Sequence, residues 1–484
     1  MLDNLIKERR KKLEKIIQAG INPYPAESGR THSIGDARKS FDALEKSAKK
    51  ISLVGRISGM RDQGNIIFLD VADESGRLQG ILRKDALKDF IFWKSVLDIG
   101  DFVSVGGKLF KTKKGEESID AGEFSMLAKS LRPTPSEWYG IEDVELRLRD
   151  RYLDLLLNPE AKELFRKKAI FWQTFREYLK KEDFLEVENP VLESVPGGAE
   201  AEPFKTHHNA LDQDFYLRIS LELPLKKLLV GGYEKVYEIG RIFRNEGIDK
   251  EHLQDYTQLE FYWAYSDYNE LMKLIEKLYK AVIKATCGTL TTSYGGEKIN
   301  WDKKWEKVDY VSSFKKEAGF DPLAASRDEL LKRAKELKLE PEKNAGKGRL
   351  IDMIFKKTVR PKLVQPCFLI DPPVEVEPLA KRSARDPRVV ERIQVMACGT
   401  ELGKGFSELN DPLDQRARFE EQMKLREAGD KEAQMLDEDY LEAMEYGMPP
   451  AAGFGVSERL FAVLMDKPVR ETVIFPLMKI KKEK

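Results

Sequence analysis

Four side chains on one short stretch define the chemistry this chain could perform: Arg244 and Glu246, then Glu260 and Tyr262. The members of each pair are two residues apart, and alternate residues of a β-strand point to the same face. From Val236 the even positions run Val236, Glu238, Gly240, Ile242, Arg244 and Glu246. Beyond a polar loop, Gln258, Glu260 and Tyr262 continue the row. The odd positions after that loop (Thr257, Leu259, Phe261, Trp263, Tyr265) are largely apolar. The pattern predicts an antiparallel hairpin with a greasy back and a front of Arg, Glu, Glu and Tyr. A guanidinium forks onto a carboxylate or phosphate, and carboxylates beside a phenol hold an ammonium, so this front could seat a phosphate and an amine side by side. Taken alone, the same spelling also fits an exposed sheet face laced with weak surface ion pairs.

Two later segments add to it. Gly399-Thr-Glu401-Leu-Gly-Lys404-Gly-Phe406-Ser-Glu408-Leu-Asn-Asp411 carries acids and a lysine among glycines. Pro449-Pro-Ala-Ala-Gly453-Phe-Gly455-Val-Ser-Glu458-Arg459-Leu puts two glycines ahead of a helix whose first turn holds an arginine. Glycine lets a ligand approach the backbone, and the arginine adds a planar cation beside it. Downstream of Phe-Arg-Asn-Glu, this is far more specific than Gly-x-Gly by itself.

The chain that positions these groups has 484 residues, room for several domains and a large core. Hydrophobic residues at 41% and charged residues at 34% place it among folded rather than disordered chains. Lys+Arg and Asp+Glu both total 83, so any polyanionic partner must meet a local basic patch. Three scattered cysteines and four histidines show no zinc-like spacing and cannot build a disulfide framework, which points to a reducing compartment. No stretch is apolar over a membrane-spanning length, so no membrane span and a cytoplasmic location are expected.

Residues 1–50 form an N-terminal lead-in. Its first twenty read as a basic amphipathic helix with Leu2, Leu5, Ile6, Leu13, Ile16 and Ile17 on one stripe, and Lys7, Arg9, Arg10 and Lys11 as candidate phosphate contacts. Residues 51–132 alternate in five segments (Ser52–Ile57, Ile66–Val71, Leu78–Leu82, Phe102–Phe110, Ser118–Ser125), which predicts a small oligonucleotide-binding (OB) barrel. Arg61, Phe68 and Gln79 are placed there to stack on and hydrogen-bond a splayed base. Pro133 and Pro135 open a linker over 133–160, helical from about Asp143 to Asn158. Residues 161–484 then mix helices and strands: a helix over Phe165–Lys180, a strand over Phe184–Pro190 and a helix over Asp328–Leu339. That last helix belongs to a helical insertion at about 320–358. A helix from Glu458 and a last strand over Glu471–Phe475 complete the chain. The fold class is α+β and multidomain.

With these residues assembled, the chain resembles the class II aminoacyl-tRNA synthetases, and among them the bacterial-type lysyl-tRNA synthetases, over nearly its whole length. Phe184–Pro190 matches the family's first motif, Arg244 with Glu246 the second and Arg459 the third. The lysine branch is marked by Pro196-Gly-Gly-Ala199, Thr206-His-His-Asn-Ala-Leu211, Glu260-Phe-Tyr262, Pro378-Leu-Ala-Lys381 and Phe406–Asp411. The resemblance implies a catalytic domain with a central antiparallel sheet flanked by helices, behind an anticodon-binding OB-fold that uses Arg61, Phe68 and Gln79. It implies ATP-dependent activation of lysine and transfer to tRNA(Lys), with magnesium as cofactor and a homodimer formed through Phe184–Pro190. Arg244 and Arg459 would be the catalytic pair. ATP would be bound by Arg244, Glu246, His252, Tyr256, Glu401 and Arg459. Lysine would be bound by Gly198, Glu222, Arg244, Glu260, Tyr262, Phe406 and Glu408. Metal would fall to Glu401, with Gln394 and Glu408 as further candidates.

Several positions depart from the family's usual spelling. Lys404 stands where asparagine is usual, Gln394 where a magnesium-holding glutamate is usual, Leu253 where asparagine is common, and Glu202 where arginine is common. The third motif, Val456-Ser-Glu-Arg459, is one residue short. Two alternatives follow from the sequence: a synthetase-like RNA-binding or regulatory paralogue that does not charge tRNA, and an aspartate or asparagine ligase of the same subclass. The latter calls for a basic residue where this chain offers Glu260, Tyr262 and Glu408.

Overall fold

The computed structural model describes residues 2–134, 143–247, 252–341, 345–430 and 432–479. The chain divides into two compact units, Met1–Glu142 and Asp143–Lys484. Pro135, the second proline of the predicted linker, and the 342–344 part of the predicted insertion lie outside the described residues. Among the described residues, no helix is long and apolar enough to cross a membrane.

In the first unit, β1 (Ile51–Asp62), β2 (Ile66–Asp73), β3 (Gly76–Arg83), β4 (Phe102–Lys111) and β5 (Glu117–Ala128) close into a barrel in the order β1-β2-β3-β5-β4. Alternate residues such as Ile51, Leu53, Val103 and Val105 fill its interior, and closure leaves no open sheet edge. The ladder between β4 and β5 slips at Gly106/Gly107. A side chain at Gly107 would collide with the Asp120 carbonyl at 1.8 Å, so this tight crossing requires glycine.

The N-terminal helix spans Leu2–Gln18, but it docks differently from the predicted stripe. Leu2, Leu5 and Ile17 are exposed, while Ile16 and Arg9 are buried. The Arg9 guanidinium donates to the carbonyls of Ile99 (2.9 Å), Ser130 (3.1 Å) and Arg132 (3.2 Å). A buried charge held by matched acceptors anchors the helix where an apolar stripe was expected.

The second unit is built on an eight-stranded sheet. Its strands are β6 (Leu185–Glu186), β7 (Lys235–Phe243), β8 (Asp255–Ala264), β9 (Glu306–Asp309), β10 (Cys367–Ile370), β11 (Arg392–Ala397), β12 (Thr400–Ser407) and β13 (Ala451–Ser457). The spatial order is β9-β10-β11-β12-β13-β8-β7-β6, antiparallel except for the two end pairs. Helices Pro159–Lys181 and Tyr268–Cys287 supply Phe171, Phe175, Leu278 and Tyr279 to a core shared with Leu259 and Phe261 of β8 and Phe454 of β13. The greasy back of the predicted hairpin is this core. Tyr265 is the exception: it lies past the end of β8, at φ 61° and 71% exposed.

Four local predictions are corrected. The strand over Phe184–Pro190 shrinks to Leu185–Glu186, because Phe184 turns into the core with its ring 5.3 Å from that of Phe261. The helix over Asp143–Asn158 breaks at Asp150 into Val144–Arg149 and Arg151–Leu157. The strand over Glu471–Phe475 is absent, and the segment starts instead in a 3-10 turn over Val469–Thr472, bracketed by Pro468 and Pro476. Helix Asp328–Leu339 is observed as Arg327–Glu336, opened by a capping box between Ser326 and Glu329.

Candidate active site

The sheet register brings the chemistry-bearing side chains of four strands onto one face, with two glycines of a fifth between them. Glu238 pairs with Glu260 across β7 and β8, Glu260 with Gly455 and Tyr262 with Gly453 across β8 and β13. Lys404 and Phe406 of β12 pair with the same two glycines, and Gln394 and Arg392 of β11 pair with Lys404 and Phe406. With no side chains of their own, Gly453 and Gly455 leave room over β13 for the side chains of neighbouring strands. A side chain at Gly453 would meet the Tyr262 ring and Glu408 Oε1, each at 2.3 Å.

One end of the face is acidic. Glu260 accepts from Ser220 Oγ (2.6 Å), the Leu221 N–H (3.0 Å), Gln258 Nε2 (2.6 Å) and, through its other oxygen, the Tyr262 hydroxyl (2.9 Å). Glu222 opens the helix Glu222–Val230. Gly198 lies against it at φ 83°, where a side chain would come within 2.8 Å of Glu222 Cβ. Lys226, one turn on and fully buried, pairs with Glu222 Oε1 at 2.5 Å and with Glu408 Oε2. Its Nζ lies 5.2 Å from the Phe406 ring centre and 5.9 Å from that of Tyr262. Apart from that ion pair, neither Glu408 oxygen has a hydrogen-bond partner among the described residues. Burial pushes the Glu222 carboxyl up to about 7 against the pull of Lys226, with Glu260 adding to the rise. Burial likewise holds Glu408 well above the carboxylate range, with Lys226 opposing and Glu222 and Glu260 reinforcing.

The other end is cationic. Along β12 the character changes from Phe406 to Lys404 and Glu401. Lys404 pairs with Glu377 at 2.9 Å, and Arg392 reaches the same carboxylate at 3.4 Å. Arg392 also donates to Gln394 Oε1 at 2.6 Å, and Gln394 Nε2 donates to Glu401. Arg459, at the start of helix Arg459–Leu464, reaches the Glu401 carbonyl at 3.4 Å. Burial alone would raise the Glu401 carboxyl, but Lys404, Arg459 and Arg392 hold it below its ordinary value.

Arg244 follows directly on the end of β7. β7 stops at Phe243, so Arg244 and Glu246 continue the row from the loop rather than the strand. The Arg244 N–H still pairs with the Gln254 carbonyl at 2.8 Å. Its side chain is aimed by a hydrogen bond to the Ile219 carbonyl (3.2 Å) and lies 5.8 Å from the Tyr256 ring centre. Glu246 is half-buried and His252 is exposed, just ahead of β8. Glu401 with the Gln394 amide is a thin donor set, and no group of three His, Cys, Asp or Glu side chains among the described residues could cage a metal. Magnesium is held elsewhere by one or two carboxylates together with phosphate oxygens, and Glu401 suits that arrangement. Glu408 is engaged by Lys226 instead.

Lys226, Glu377 and Arg392 escaped the sequence reading. The one signal for Lys226 was its four-residue spacing from Glu222, which also describes any surface helix pair. On the barrel, Arg61 and Phe68 are cross-strand partners with the guanidinium 5.7 Å from the ring centre. Gln79 is buried and accepts from Ser118 Oγ at 3.1 Å.

Residues 143–479 match the family described as tRNA synthetases class II (D, K and N), and residues 51–134 match the OB-fold nucleic acid binding domain. The chain is 46% identical to the lysine–tRNA ligase of Moorella thermoacetica, covering 99% of each chain. It is 43% identical to that of Halalkalibacterium halodurans, covering 99% of this chain and 98% of the relative. For Carboxydothermus hydrogenoformans the identity is 44% and the coverage again 99% and 98%. The chain belongs to the class II tRNA synthetases of the D, K and N group.

Proposed function

We infer that this chain is a lysine–tRNA ligase. It activates lysine with ATP to lysyl-adenylate and pyrophosphate, then passes the lysyl group to the 3′ end of tRNA. The observation that carries the lysine assignment is the buried acidic end of the sheet face, where Glu222, Glu260 and Glu408 converge beside Tyr262. An aspartate or asparagine side chain would meet three carboxylates whose one basic partner, Lys226, is already taken up by Glu222 and Glu408, whereas an ammonium satisfies them.

In the first step a lysine carboxylate oxygen attacks the α-phosphorus. The bond from that phosphorus to the bridging oxygen breaks, and pyrophosphate leaves. No protein nucleophile is needed, since alignment and charge neutralisation supply the rate. Arg244 grips the carboxylate and the α-phosphate with its fork, and Arg459 takes the γ-phosphate. Tyr256 stacks on the adenine, Glu246 accepts from its amino group, and His252 reaches the phosphates from the loop. Glu222 and the Gly198 backbone hold the α-ammonium. Glu260, Tyr262 and Glu408 surround the ε-ammonium, with Phe406 as the apolar wall. Glu401, with phosphate oxygens, would hold magnesium, which neutralises phosphate charge when bound.

In the second step a terminal ribose hydroxyl of tRNA attacks the lysyl carbonyl and AMP leaves. The barrel serves anticodon recognition through Arg61 and Phe68, a guanidinium and a ring stacked as a platform for a base, with Gln79 beside them. The enzyme works as a homodimer through the Phe184–Pro190 region. Incubation with ATP, labelled lysine and unfractionated tRNA is expected to place label in acid-precipitable RNA. Lysyl-adenylate formation without RNA labelling would instead mark a chain that does not charge tRNA.

A further inference from the structure

The acidic end of the face holds three carboxylates (Glu222, Glu260, Glu408), all at least nine-tenths buried, and one cation of the chain's own, Lys226. Other ionisable groups nearby are engaged elsewhere, except Glu193, whose carboxyl burial lifts to about 8. Arg218 pairs with Glu238 at 2.6 Å, both buried, and Glu377 is shared by Lys404 and Arg392. Once a bound dication has drawn the three carboxyls into their ionised form, four groups decide the pocket's charge: three negative and one positive, a balance of two negatives.

Free lysine carries two ammonium groups, and its carboxylate is assigned to Arg244. We propose that Lys226 is a specificity-determining residue that occupies one of the three carboxylate charges, so that the pocket presents two negatives to a substrate bearing two ammonium groups. This rests on the lysine-binding reading of the site above. The geometry supports it. The Lys226 ammonium bridges Glu222 and Glu408, the carboxylates assigned to the α- and ε-ammonium groups respectively. It also sits near the Phe406 and Tyr262 rings, whose faces favour a cation. Lys226 thus links the two carboxylates assigned to the ligand's ends and neutralises only part of their charge.

A residue that merely fills space or braces the helix predicts one outcome, and a residue that sets the charge predicts the opposite. Lysine affinity would be measured by calorimetry on the intact protein for wild type, K226M, E408Q and K226M/E408Q, with thermal unfolding as the check on folding. E408Q leaves two carboxylates and one cation, a balance of one negative, and is expected to bind lysine about a hundredfold more weakly. Adding K226M restores a balance of two negatives, so the double variant is expected to recover about tenfold or more over E408Q. A double variant no better than E408Q overturns the proposal. If E408Q does not fold, E222Q and K226M/E222Q carry the same comparison with the same expected sign. Absence of lysine binding by wild type would instead count against the lysine reading itself, so the two failures are distinguishable.

Discussion

Gly453 faces Tyr262 across the ladder between β8 and β13, and a methyl group added to it would lie 2.3 Å from both the Tyr262 ring and Glu408 Oε1. The glycine at 453 therefore lets the Tyr262 and Glu408 side chains close over the strand. Overpacking of this kind costs about 1–3 kcal/mol. G453A is expected to raise the KM for lysine about tenfold or more while circular dichroism stays native. An unchanged KM would contradict the geometry assigned to the pocket floor.

The Glu222 carboxyl, lifted from 4.5 to about 7 by burial despite Lys226, gives lysine binding a pH dependence. A carboxyl raised in the folded state contributes stability while protonated, and this is lost as pH rises through about 7. Lysine requires the ionised form, so binding gains what stability loses. Lysine affinity is expected to strengthen as pH rises from about 5 to about 7 and to level off above that, with protons released on binding, while the thermal midpoint of the free protein falls over the same interval. Calorimetry in buffers of different ionisation enthalpy measures the released protons. A proton count of zero across that interval would contradict the assignment.

Arg9 and its neighbours separate two roles that the sequence ran together. Arg9 is buried against three carbonyls, whereas Lys7 and Arg10 are exposed on the same helix. R9A is expected to lower the thermal midpoint of the protein by loosening the helix from the barrel. The K7Q/R10Q pair should leave that midpoint unchanged and flatten the salt dependence of tRNA binding, by about one unit of log–log slope for each phosphate no longer neutralised. An unchanged slope would remove the helix from the RNA-binding surface.

Glu401 is a single carboxylate capped by the Gln394 amide and ringed by Lys404, Arg392 and Arg459. Restoring a second carboxylate with Q394E is expected to strengthen metal binding. Manganese counted by electron paramagnetic resonance in the presence of a non-hydrolysable ATP analogue should show additional bound ion relative to wild type. An identical count in the two proteins would show that residue 394 has no part in holding metal.

The hairpin was legible because a period of two leaves only one way to sort Glu260 and Tyr262 from Leu259 and Phe261 once one face is buried. The barrel was legible for the same reason. Features set by tertiary partners were not. Lys226 reads as a helix-surface lysine until Glu408, far along the chain, closes on it. Arg9 reads as one more member of a basic run until the Ile99 and Ser130 carbonyls surround it. The Thr472-Val-Ile-Phe475 run has strand composition, but residues 469–472 form a 3-10 turn and no neighbouring strand among the described residues takes up the rest.

The central claim is that this sheet face activates lysine and no other amino acid. Amino-acid-dependent exchange between ATP and pyrophosphate, run with magnesium and each of the twenty amino acids in turn, tests it most directly. Exchange with lysine alone is the expected result. Exchange driven by a different amino acid, or none with any, would contradict the account of the acidic pocket.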